Sequence, residues 1–472
     1  MQDKLHRTPS DAPAGIVHLG LGAFFRAHGA IFVAEAMAAS GGDWGVIGVS
    51  LKSPGTRDKL RPQGWAYTAV ELAPTGERPQ VVTVLRDVLV APENPQAVLD
   101  AMVDPAIRIV SLTVTEKGYC HEPSTGRLNQ AHPDIAHDLT DPMPQSAPGF
   151  IVRALAARRA AGTAPFTVLC CDNLPENGRV LRGVVLELAE LIDPDLAAWI
   201  KSEVRFPSTM VDRIVPATSA QDIDRVAELT GVRDEAPVMH EPFRQWVVED
   251  DFVNGDRPDL GAVGVQLVAD VTPFEHMKLR MLNGTHSTLA YLGYLAGHET
   301  VAATMADPVF SAFVKRLWRA EIIPALTPPE GVDLVAYADA LHDRYSNPAI
   351  QHRTWQIAMD GSQKLPQRIL GTIAEGRAVE RKLPGLTLAV AAWMRYVSGR
   401  DLAGQVIEVK DPLAETLAAL WRDEPAETVA EFLALEQVFP AELRNDAGFA
   451  AELTTALSSL LDLGAAKAVE AL

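Results

Sequence analysis

Between Gly15 and about residue 215, short apolar runs alternate with stretches of helical periodicity. Ile16–Leu19, Trp44–Leu51, Val81–Val90, Arg108–Thr115 and Phe166–Cys171 predict strands. Ala27–Ala38, Ala97–Val103, Gly149–Ala161 and Val180–Leu191 predict helices among them. Strands separated by helices imply parallel pairing through right-handed crossovers, the doubly wound α/β architecture. After about residue 270 the β-rich runs stop. Helices are predicted over Lys278–Ala296, Pro308–Leu317, Leu386–Val397, Pro412–Trp421, Glu427–Leu435 and Ala450–Leu461. Asp411–Pro412 and Glu424–Pro425 read as helix starts with proline in the first turn. The expectation is an α/β domain over residues 1–270 and an all-α domain over 271–472.

Composition narrows the classes. A chain of 472 residues exceeds one ordinary core. Its formal net charge of -19 opposes a nucleic-acid partner and requires a local cationic pocket for any anionic ligand. Cys120, Cys170 and Cys171 are too few and too unevenly placed for a disulfide framework, and no Cys/His set has zinc spacing. No metal site is therefore expected, and a reducing cytoplasm fits. The opening residues lack the apolar segment of a signal peptide, and no apolar run approaches the ~20 residues that span a bilayer.

The first candidate chemistry follows Ile16–Leu19, in the run Gly20-Leu-Gly22-Ala-Phe24-Phe25-Arg26-Ala-His28. A strand, a glycine turn and a helix start suit a dinucleotide pyrophosphate, although Phe25 stands where a third glycine is usual. A plain turn is the competing reading. No carboxylate for a ribose follows directly after Trp44–Leu51; Asp58 comes late, and Lys52 and Arg57 suit a 2′-phosphate equally. The second candidate is Lys278, Asn283 and His286, which fall on one broad helical face at ~100° per residue. A desolvated lysine serves as the base for alcohol oxidation, and an asparagine amide as a donor to the alkoxide. Taken singly, each reads as an ordinary surface or packed side chain. Asn173, and Glu116 with Lys117, follow predicted parallel strands at their carboxyl ends, where ligands bind; a charged turn and an Asx turn are the alternatives. Asp212 and Arg213 read equally as a plain ion pair.

In chain order, the GxGxFxRAH turn, TVTEKGYC, CDNxxxNG, FPxTMVDRIVPAT, EPFRQWV and the KxxxxNxxH helix resemble the mannitol dehydrogenase family of long-chain polyol-type dehydrogenases. The resemblance covers essentially the whole chain. Within the family, Thr113–Cys120, Phe243–Val247 and His352–Arg368 are most similar to members that interconvert D-fructuronate and D-mannonate. It implies a Rossmann-type N-terminal domain, a helical C-terminal domain and NAD(H) without metal. Gly20, Gly22, Phe24, Arg26 and Glu116 would contact the cofactor. Lys278 would be the base, Asn173 and Asn283 would bind the alkoxide, and His286 and Asp212 would contact substrate. A uronate carboxylate also needs a cation: Lys117, Arg353, Lys364 and Arg368 are the candidates, Lys364 first because the family turns its DGSQK segment toward the site. The alternatives are a polyol dehydrogenase such as a mannitol 2-dehydrogenase, another hexuronate reductase, or a non-catalytic dinucleotide-binding redox sensor, which the intact Lys/Asn/His set argues against. Family members are often monomers, so a monomer is expected.

Overall fold

The computed structural model describes residues 3–10, 12–122 and 125–472. The chain divides into two units, Met1–Thr272 and Pro273–Leu472. Five strands centre the first: β1 Ala14–Leu19, β2 Gly45–Ser50, β3 Leu85–Val90, β4 Ile109–Leu112 and β5 Thr167–Cys170. They lie in the order β3-β2-β1-β4-β5 and every pairing is parallel. Successive side chains point to opposite faces, and both faces are covered. Val17, Leu19, Val110, Leu112 and Val168 join one core with residues of the helices Pro95–Val103, Ala147–Ala161 and Asn177–Ile192. Ile16, Val46, Ile109 and Leu169 join another with Ile31, Phe32 and Val33 of helix Gly29–Ser40. The chain leaves β1 toward β2 and β3, then returns to the far side at β4. The switch point, where ligands bind in such sheets, therefore lies between the carboxyl ends of β1 and β4.

The apolar run read as one strand, Val81–Val90, is two. Gly76–Val82 pairs antiparallel with Tyr67–Ala73, which also pairs with Val238–His240. Only Leu85–Val90 enters the central sheet. A third small sheet joins Thr209–Asp212, Gln245–Glu249 and Gln266–Val268.

The second unit is helical. Helix Pro384–Val397 is buried along most of its length and packs against Thr285–Leu295 and Ala447–Leu463. Three π-helical turns interrupt the α-helices, at Lys278–Gly284, Leu317–Ile322 and Pro366–Leu370, and the first touches both others. The helix expected over Pro412–Trp421 is only Ala414–Ala419, preceded by a turn in which Asp411 also accepts from Ser362. Among the described residues, no helix is long and apolar enough to cross a membrane.

Candidate functional site

At the switch point, Gly20 turns with φ +89°, and a Cβ there would lie 2.2 Å from the carbonyl oxygen of Thr113. Its N–H donates to Val49 O at 2.9 Å, and Thr113 Oγ1 donates to Gly20 O at 2.9 Å. With its proton so used, Thr113 Oγ1 accepts from His18 Nε2 at 2.9 Å, leaving His18 Nδ1 to accept from Ser111 Oγ at 2.8 Å. That arrangement needs a neutral imidazole, and burial pushes the His18 pKa down to about 3. Phe25, in the place of the third glycine, stacks on His18 at 3.4 Å between ring centroids. Gly29 makes room for it, since a Cβ there would lie 2.8 Å from the Phe25 ring. The departure from the glycine pattern is thus absorbed by packing.

Gly22 is exposed at the start of helix Ala23–Ala27, and a Cβ on it would meet only Gly20 O, at 3.8 Å. The space before it is open, as a pyrophosphate approaching the backbone requires. Phe24 is half-buried and stacks on His28. Arg26, expected at the cofactor, is buried, donates to Ala236 O at 2.6 Å and lies over the Tyr67 ring. Gly20→Ala is expected to lower Tm by several degrees, on the order of the cost of a left-handed non-glycine residue plus a backbone clash. Gly22→Ala should leave Tm unchanged yet raise the KM for cofactor. Thermal melts and steady-state kinetics on the pair check this, and equal Tm values would remove the argument.

Beyond β2, Arg57 donates to Asp58 at 2.7 Å and also to Glu93. The late carboxylate and the candidate cation therefore neutralise each other at an exposed surface.

The next two loops are tied together by Asp172. Its buried carboxylate accepts from Val114 N at 3.0 Å, Thr115 N at 2.9 Å and Tyr119 Oη at 2.8 Å. Burial pushes its pKa up, while these donors pull it down. Thr115 is held at φ 66°, ψ 163°, a conformation that costs a non-glycine residue about 1–3 kcal/mol. The strain presents Glu116 and Lys117 exposed at the carboxyl end of β4. Asn177 Nδ2 donates to Asp172 O at 2.9 Å and to Thr209 O at 2.8 Å, fixing the loop that carries exposed Asn173. Asp172 is therefore no Asx turn; it fastens a neighbouring loop. Asp212 ends its strand buried. Arg213 donates to Ala27 O at 2.7 Å and Glu241 O at 3.1 Å. Cys120, His132 and Asp134 bring ligand-type atoms within 4.8 Å of one another. His132 Nδ1 already accepts from Asp134 N there, at 3.2 Å.

In the second unit, Lys278 and Asn283 lie on the π-turn, and His286 begins the α-helix after it. The i→i+5 pattern widens the turn, so residues five apart stack more closely than the ~100° step predicts. Carbonyls of this stretch find distant donors. Trp318 Nε1 donates to Met281 O at 3.0 Å, and Tyr345 Oη donates to Leu282 O at 2.6 Å. Lys278 and His286 are buried, while Asn283 is half-buried. Among the described residues His286 Nε2 has no hydrogen-bond partner, and the ring lies 4.7 Å from His352 and 5.2 Å from Tyr345 between centroids. Burial, then His352, Arg368, Arg344 and Lys364, hold the His286 pKa well below its usual value. Arg368 donates to Ser287 Oγ at 3.1 Å, and Lys364 Nζ donates to Met359 O at 2.6 Å. Arg353 stands exposed before helix Thr354–Ile357. Arg344, His352 and Tyr345 are additions to the residues expected around His286. The signal for Arg344 was a charge on the apolar face Leu334, Tyr337, Ala338, Leu341, Tyr345 of one helix.

A glycine turn at the switch point of a parallel sheet, and a lysine with an asparagine on a widened helical turn, belong together in one class of oxidoreductase. The Rossmann-domain model of mannitol dehydrogenase matches residues 14–261, and the mannitol dehydrogenase C-terminal domain model matches residues 270–461. The chain belongs to the mannitol dehydrogenase family. It is 47% identical to the D-mannonate oxidoreductase of Escherichia coli (strain K12) over 464 residues, 97% of this chain and 95% of that protein. The structure of a Pseudomonas fluorescens mannitol 2-dehydrogenase in ternary complex with NAD and D-mannitol superposes with TM-score 0.86 at 40% identity, covering 99% of this chain and 96% of that one. A D-sorbitol dehydrogenase in substrate-free form gives TM-score 0.89 at 34% identity, covering 99% and 98%.

Proposed function

We propose that the protein is an NAD-dependent oxidoreductase that interconverts D-fructuronate and D-mannonate, with Lys278 as general acid and base. The observation that carries the substrate choice is the gathering of Arg344, Lys364 and Arg368 around His286. Such a cluster suits a carboxylate and is wasted on a neutral polyol. The likeness to the D-mannonate oxidoreductase supports the same choice, and the solved NAD complex of a relative supports the cofactor. The open space at Gly22 fits a dinucleotide held at Gly20 and Gly22, with Phe24 two residues further on and Glu116 exposed at the carboxyl end of β4. When bound, NAD(H) supplies or takes the hydride.

The protein's residues do the rest. During reduction Lys278 Nζ gives a proton to the forming hydroxyl, and during oxidation it takes that proton back. The amides of Asn283 and Asn173 donate to the oxygen as its charge develops. His286 and Asp212 bind substrate hydroxyls, and Lys364 with Arg368 and Arg344 receives the carboxylate. Lys117 and Arg353, both exposed, are further cations of the set. An ammonium and two amides meet the alkoxide's charge in this scheme, which uses no metal.

The test is NADH oxidation by purified protein with D-fructuronate and, in parallel, D-fructose. Turnover of fructuronate is expected to exceed that of fructose by about one to two orders of magnitude in kcat/KM, because charge-assisted hydrogen bonds to a carboxylate, which fructose cannot make, are worth about 1.5–3 kcal/mol. The reverse preference would place the protein among the polyol dehydrogenases.

A further inference from the structure

The first unit contains a cavity of about 350 Å³ that none of the proposed chemistry uses. Its walls come from helix Gly29–Ser40, the hairpin Tyr67–Val82 and the strand Val238–His240 with the residues beyond it. Three arginines and two glutamates line it. Arg244 pairs with Glu35 at 2.6 Å, and Arg78 pairs with Glu71 at 3.5 Å. Arg213 is the third cation. Its guanidinium is buried and bonds only to the carbonyl oxygens of Ala27 and Glu241. Among the described residues, no carboxylate stands within ion-pair distance of it.

A buried cation without a counter-ion is costly, and the cost is relieved when an anion takes the place beside it. Desolvation and the neighbouring Arg244 push the Arg213 pKa down to about 10, offset in part by Glu241, Glu71 and Glu35. The wall also carries acceptors. His240 Nδ1 is bonded to Glu241 O at 2.9 Å, so Nδ1 donates and Nε2 keeps its lone pair. Glu71 and Glu35 offer carboxylate oxygens. The volume is at the small end of ligand pockets, ~300–1,000 Å³.

We infer that this cavity binds a small hydroxylated anion, with Arg213 taking the anionic group and His240 and the glutamates taking hydroxyls. A sugar acid and a phosphorylated polyol share this chemistry. The site has no residue in common with those assigned to the reaction, so it stands or falls separately from the proposed activity. Arg213 also links the cavity to Ala27, in the helix after the glycine turn, and directly follows Asp212 in the chain.

Isothermal titration of the full chain with D-gluconate and with glycerol 3-phosphate tests the inference. One of the two is expected to bind the wild type and Lys278→Met equally, one per chain. Binding should weaken about tenfold or more in Arg213→Gln, the loss of a charge-assisted hydrogen bond. Gln80→Trp, on an exposed position of the cavity wall, should weaken it similarly by filling the space, and decides the matter if Arg213→Gln does not fold. The better-bound anion identifies the group, carboxylate or phosphate. No binding to the wild type, binding unchanged in Arg213→Gln and Gln80→Trp, or binding lost in Lys278→Met overturns the inference.

Discussion

Lys278→Met is expected to reduce kcat by about two to four orders of magnitude, the usual contribution of a positioned general acid or base. Methionine keeps an unbranched stem of similar length and has nearly the same helix propensity, and it buries without a charge to satisfy. The π-turn that presents position 278 is held by Trp318 and Tyr345, so the backbone should survive the change. NADH affinity, read by fluorescence titration, is expected to stay within about twofold. The single ionisation that governs the oxidation rate of the wild type should be missing from the variant's pH profile. A loss below tenfold, or a pH profile unchanged in shape, would hand the proton to another group. A parallel loss of NADH binding would mean that the variant reports on folding instead.

What the chain reveals before it folds is mainly its local periodicity. β1, β2, β4 and β5 are short apolar runs bounded by polar turns, and each lies within one to three residues of its expected limits. The glycine turn is likewise local, because Gly20 must adopt a positive φ. The failures are non-local. Nothing between Val82 and Leu85 is a glycine or proline, so the run Val81–Val90 gave no sign that its halves belong to different sheets. The hydrogen-bond partner of Arg26, Ala236 O, lies 210 residues away in the chain. The π-turn depends on donors 37 and 63 residues beyond the carbonyls they reach, and no helical periodicity encodes it. The same holds for Arg344, whose relation to His286 comes from packing. Residue types at the candidate site were readable because motifs are contiguous; the cations gathered around them were not.

Acidification should destabilise both units steeply. In the first, burial holds His18 near pKa 3, and burial with Arg213 and Arg244 holds His240 near 4. In the second, burial with Lys364 holds His352 near 4, and His286 lies well below its usual value. For a folded pKa below the unfolded value of ~6.5, the unfolded chain binds a proton that the folded chain refuses. Stability from these groups is therefore complete above about pH 6.5 and is lost as pH falls toward 4 and 3. Each histidine contributes about 1.4 kcal/mol per pH unit through that window. At pH 4.5, two such groups cost a unit roughly 5 kcal/mol, comparable with the lower range of whole-domain stability. Asp172 and Glu321, whose pKa values burial raises, act in the opposite sense and offset part of the loss. Thermal melts in constant-ionic-strength buffers from pH 7.5 to 4.5 should show Tm nearly flat above 6.5 and falling ever more steeply below it. His352→Gln, half-buried and free of the His18 network, should flatten the decline for the second unit. A Tm that holds constant from pH 7 to pH 5 would mean that these imidazoles take up protons in the folded protein, and that burial is not what governs their charge.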